Sequence, residues 1–182
     1  MLRWLRRVLD RCDDAARPPS LGEPPRQVPD RIEPAALAPL LGVRIAGTAA
    51  SVAEPGGGSH ADRVVWVDGG DEVIVHLDSL KTAVASNVLL VAIDLETDET
   101  GRQTLVVPLA PGTSPDDEMM LVTEDLPRGH GELAARWGRI LQDAIYAALQ
   151  DLAQAHADER LTAAKALVIA DGALAFRAES PT

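Results

Sequence analysis

The chain has 182 residues, 46% of them apolar and 25% charged, which suits one domain with a hydrophobic core plus a tail and leaves too little for two full-size domains. The formal net charge of −11 gathers in residues 54–128, where fifteen acids stand against four bases. A surface this acidic repels phosphate backbones and argues against nucleic acid as the main partner, in favour of cations and basic protein surfaces.

Three Trp, one Tyr and one Phe leave the core to Val, Leu, Ile and Ala, and make an aromatic base-stacking platform improbable. Cys12 is the only cysteine, so no intramolecular disulfide can form. The start, "MLRWLRRVLDRC", has the charge of a signal peptide without its unbroken apolar region. The longest aliphatic run, residues 88–93, falls far short of the roughly 20 residues that span a bilayer. The expected location is the cytoplasm, with peripheral membrane contact through residues 2–13 left open.

Residues 2–13 place Leu2, Trp4, Leu5, Val8, Leu9 and Cys12 within about 160° of a helical arc, with Arg3, Arg6, Arg7, Asp10 and Arg11 opposite. A basic amphipathic helix over residues 1–16 is therefore expected. Residues 17–39 hold seven prolines and read as an extended linker without regular helix. Residues 40–182 then form a single α+β domain.

That domain opens on "LGVRIAGTAASVA", read as an alanine-rich strand, and the loop "EPGGGSHAD". The loop lacks the GK[ST] ending of a phosphate loop and precedes a strand, so it reads as a flexible connection. Runs 63–68 and 71–78 flank Gly69-Gly70, the signature of a two-residue hairpin turn. The register this imposes sets Asp68 against Asp71, Trp66 against Val73 and Arg63 against His76. Val64, Trp66, Val73, Val75 and Leu77 then share a core face, and Glu72, His76 and Asp78 lie on the other. "SLKTAVAS" suggests a helical turn. "VLLVAIDLE" and "QTLVVPL" suggest a second hairpin about "TDETGR", with Pro108 forcing an early end or an edge position.

"TSPDDE" has the look of a helix start. Residues 131–157 carry the clearest pattern, with Leu133, Trp137, Ile140, Leu141, Ala144, Ile145, Ala148, Leu149 and Leu152 at three- and four-residue steps. Such a helix spans about 39 Å and can lie across a sheet face. "KALVIADGALAFRA" suits a hairpin at Asp171-Gly172, with a helix ending at Gly172 as the competing reading. The expected architecture is an α+β fold: an antiparallel sheet built from hairpins, one face covered by the long helix.

Two chemistries compete for a site. The outer row of Glu72, His76 and Asp78, joined by His60 or Asp62 from the "SHAD" loop, could hold a divalent metal, and would then make the chain a metal-binding module or metal-dependent hydrolase. The plainer reading is a hydrated outer hairpin face. His130 reads as a turn residue at the start of the long helix, His156 as a packed histidine, and Trp66 and Trp137 as core anchors. The N-terminal segment offers the other site, because its apolar arc has nothing local to bury against. Leu2, Arg3, Trp4, Leu5, Arg6, Arg7, Val8 and Leu9 are expected to dock on the chain's own acidic body, a protein partner, a sister subunit or lipid. The functional expectation is an acidic, non-catalytic adaptor or chaperone-like accessory protein without a cofactor, forming a homo-oligomer. An apolar small-molecule site between sheet and helix is a further alternative.

Overall fold

Gly69-Gly70, Gly101 and Asp171-Gly172 each close a hairpin, and alternation in the flanking runs decides which face is buried. The computed structural model describes residues 30–47, 51–52, 62–110, 129, 131–159 and 167–176. In chain order the elements are β1 (Arg31–Ile32), α1 (Pro34–Ala46), β2 (Ser51–Val52), β3 (Arg63–Asp68), β4 (Asp71–Ala85), β5 (Val88–Thr97), β6 (Gly101–Leu109), α2 (Gly131–Glu159), β7 (Leu167–Ala170) and β8 (Ala173–Phe176). A five-stranded antiparallel sheet runs β2-β3-β4-β5-β6, and a three-stranded one β1-β8-β7. This is the expected α+β class.

The β3–β4 register is the one the turn imposes, from Asp68↔Asp71 through Trp66↔Val73 to Arg63↔His76. Gly69 and Gly70 sit at φ +60° and +96°, where a Cβ would strain the backbone. Val64, Trp66, Val73, Val75 and Leu77 are all buried on one face. That face meets both helices: α1 packs against β4 and α2, and α2 against β6, in one continuous apolar core. The stripe of α2, from Leu133 and Trp137 to Leu149 and Leu152, is buried there as its periodicity requires. The second hairpin forms as expected, with Pro108 on the edge strand β6. Leu90, Ala92 and Val106 form a second, smaller buried cluster on the sheet's opposite face.

The structure corrects three readings of local conformation. The proline-rich stretch does not stay extended to residue 39, because α1 begins at Pro34. Proline suits a first helical position, where no intrahelical donor is needed. Pro39 lies inside the helix and forfeits one bond, and burial of Leu37, Leu40, Leu41 and Ile45 outweighs that loss. The strand expected over 41–53 is accordingly helix through Ala46, and among the described residues of that stretch Ser51–Val52 is extended.

The turn expected at "SLKTAVAS" is instead the second half of β4, entered through a wide bulge. Pairing with β5 jumps from His76↔Asp94 to Lys81↔Ala92, so residues 77–80 oppose Ile93 alone. The odd number of extra residues flips the alternation, and Leu80 and Thr82 take over the buried face from Val75 and Leu77. Ser79 fills the gap in the ladder: its hydroxyl donates to the His76 carbonyl at 2.6 Å and accepts from the Asp94 N–H at 2.7 Å. The buried Thr82 hydroxyl donates to the Pro34 carbonyl and ties β4 to the start of α1.

Candidate functional site

Two carboxylates directly opposite at a turn repel unless a cation lies between them, and α2 supplies one. The guanidinium of Arg136 donates from Nε to Asp71 at 2.8 Å, from Nη1 to Asp68 at 2.7 Å and from Nη2 to the Asp68 carbonyl at 2.6 Å. Its Cζ lies 4.8 Å from the centroid of the Trp137 ring. The hydrogen bond to Asp71, then that to Asp68, raises the Arg136 pKa above its ordinary value. The guanidinium is therefore charged throughout the neutral range, and the clamp keeps its cation there. No sequence pattern announced Arg136, because its partners lie more than sixty positions away.

The outer row is likewise completed by residues from other strands. His76 is 7% exposed, so it is not part of a hydrated face. Its Nε2 lies 2.7 Å from Glu96 Oε2, and its Nδ1 4.0 Å from Asp78 Oδ1. The histidine thus reaches diagonally across to β5 rather than along its own strand to Glu72. Asp94 accepts from Arg102 Nε at 2.8 Å and from Thr104 Oγ1 at 2.6 Å, and Arg102 also approaches Asp78 at 4.0 Å. Asp62 is exposed, and its carbonyl accepts from the Asp78 N–H at 3.1 Å. His60 lies outside the described residues, as do residues 2–13 with Leu2, Arg3, Trp4, Leu5, Arg6, Arg7, Val8 and Leu9, the "TSPDDE" stretch and His130. Among the described residues, no three His, Cys, Asp or Glu side chains converge to hold a metal ion.

A cleft opens where the two hairpin tips part. Pairing of β4 with β5 begins only at Ile74↔Glu96, so residues 71–73 diverge from the turn at 98–100. The space between them has a volume of about 790 Å³ and is floored by the first turns of α2. Val73, Leu133 and Trp137 are buried at its back, and Val65 and Ile74 are half-buried along it. Six carboxylates line it, those of Asp71, Glu72, Glu96, Asp98, Glu99 and Glu132. Arg136 engages Asp71 and His76 engages Glu96. Among the described residues, Glu72, Asp98, Glu99 and Glu132 have no cationic partner. Uncompensated negative charge beside apolar wall attracts a ligand that carries positive charge and some apolar surface.

The opposite end of α2 holds a buried histidine. His156 is 1% exposed, its Nε2 lies 2.9 Å from Asp30 Oδ1, and its ring stacks on Phe176 with centroids 3.7 Å apart. Phe176 donates its N–H to the Asp30 carbonyl at 3.3 Å, so helix end, β8 and the approach to β1 are joined. His156 is thus the packed histidine its position on the apolar stripe predicts, and Trp66 and Trp137 are core anchors. Among the described residues no helix is long and apolar enough to cross a membrane. No protein-family model matches the chain, and neither a curated protein nor a solved structure does.

Proposed function

We propose that this is an acidic binding protein, an adaptor or chaperone-like accessory subunit, which receives a basic, partly apolar segment of another protein in the cleft between its hairpin tips. The observation that carries the reading is the set of four carboxylates, Glu72, Asp98, Glu99 and Glu132, which among the described residues have no cationic partner, around an apolar back wall. Such a surface draws basic partners by long-range attraction, and the apolar wall rewards an amphipathic segment over a merely charged one. A cation alone would gain nothing from Val65 and Ile74.

The test is titration of the full chain with an arginine-bearing amphipathic peptide and with an acidic peptide of the same apolar spacing. The basic peptide should bind, and the triple variant Glu72→Lys, Glu99→Lys, Glu132→Lys should weaken it at least tenfold, or about 1.4 kcal/mol. Binding should also weaken as salt is raised. Equal binding of the acidic peptide, or an unchanged affinity in the variant, would reject the reading.

A further inference from the structure

We infer that the chain's own residues 2–13 occupy this cleft in cis, so that the N-terminal segment competes with any partner for the acidic site. The inference rests on the reading of the cleft as a receptor for basic amphipathic segments. It adds an occupant and, with it, a built-in competitor.

Complementarity of charge is the first support. Residues 2–13 hold four Arg on the arc opposite Leu2, Trp4, Leu5, Val8 and Leu9, the two components the cleft can use: cations for Glu72, Asp98, Glu99 and Glu132, and apolar surface for Val65 and Ile74. Elsewhere in the described residues the basic side chains nearest the cleft are committed, Arg136 to the hairpin tip and Arg102 to Asp94.

Reach is the second. The chain preceding β1 is held at Asp30 by His156 near the C-terminal end of α2, while the cleft lies at its N-terminal end around Leu133. The helix between those two positions is about 35 Å long at ~1.5 Å per residue. Residues 14–29 include five prolines and extend to about 50 Å at ~3.1 Å per residue. The linker is therefore long enough to carry residues 2–13 along α2 to the cleft of the same molecule, with little slack to wander. A short tether holds its end at high effective concentration, so an intrinsically weak contact would still be populated.

The experiment uses the full chain, with Cys12→Ser and Asp14→Cys so that a nitroxide sits just beyond the amphipathic segment. The amide signals of Asp98, Glu99 and Glu132 should broaden, while those of Asp171 and Gly172 at the far end stay sharp. Adding Glu72→Lys, Glu99→Lys and Glu132→Lys should abolish the broadening, and the dispersion of the same spectrum reports whether the variant is folded. Absent broadening, or broadening centred elsewhere, overturns the inference. So does broadening seen only when labelled chain is mixed with a separate isotope-enriched chain, which would place the segment on a second copy.

A second arm separates this outcome from failure of the binding reading. The full chain with Arg3→Glu, Arg6→Glu and Arg7→Glu is titrated with a synthetic peptide of residues 1–16. If the peptide shifts the cleft amides but the tethered nitroxide does not broaden them, the cleft is a receptor and its own segment is not the occupant. If the peptide shifts nothing, both readings fall.

Discussion

The two ends of α2 meet similar problems and solve them differently. At its C-terminal end, the buried His156 is held by a hydrogen bond from Nε2 to Asp30 and by stacking on Phe176, while its Nδ1 has no partner among the described residues. At its N-terminal end, Arg136 neutralises the hairpin tip, yet Glu72, Asp98, Glu99 and Glu132 round the cleft have no cationic partner among the described residues. Burial makes the difference. A buried polar group without a partner costs about 1–3 kcal/mol, so the buried imidazole depends on its bond to Asp30, whereas solvated carboxylates cost little and remain available to something that arrives. One end thus serves the fold, and the other is where we propose that a partner is recognised.

The largest effects should come from the apolar stripe that joins the two ends. Trp137→Ala, behind the cleft, is expected to cost about 3–5 kcal/mol, and Leu152→Ala, near the C-terminal end, about 2–5 kcal/mol, by chemical denaturation. A cost below about 1 kcal/mol for Trp137→Ala would mean that the cleft end is loosely packed and the contrast misdrawn. His156→Ala should follow at about 2–4 kcal/mol, from the lost stacking on Phe176 and the space left by a buried ring. It should leave binding of basic peptide at the cleft unchanged, and a parallel loss of binding would show the two ends to be coupled. Ser79→Ala removes the hydroxyl that bridges His76 and Asp94 across the bulge and should cost about 1–3 kcal/mol. Hydrogen exchange should then speed first at residues flanking the bulge. The smallest shift belongs to Glu99→Gln and Glu132→Gln, within about 0.5 kcal/mol of the parent in stability, yet with a measurable fall in affinity for basic peptide. Destabilisation beyond that range would reveal that these carboxylates serve the fold.

Much of the fold was legible because it depends on short-range rules. Gly69-Gly70 set the β3–β4 register residue by residue, and the spacing from Leu133 to Leu152 marked the helix and its buried face. Pro34 and Pro39 misled, since proline is costly inside a helix but harmless at its first position, and core burial outweighed the one interior break. The bulge at residues 77–80 was hidden because a local pattern cannot show how many residues of a neighbouring strand it faces. From the outer row, His76 and Asp78 were named correctly as neighbours, but Glu96, Asp94, Arg102 and Thr104 were not, because only the β4–β5–β6 register brings them there.

By itself the sequence determined the α+β class, the hairpin turns, the core faces of β3, the first half of β4 and the long helix α2, and the concentration of acid in residues 54–128. Those follow from backbone sterics and from the two periodicities of helix and strand, which act over a few residues. Only the tertiary structure decided that Arg136 would be the cation Asp68 and Asp71 require, and that His76 would pair with Glu96. The same holds for the cleft, where carboxylates from β4, the β5–β6 turn and α2 gather at one opening. Each depends on how far two hairpins splay and where a helix starts across them. Charge balance at a site is a sum over residues distant in the chain, and packing alone chooses the members of that sum.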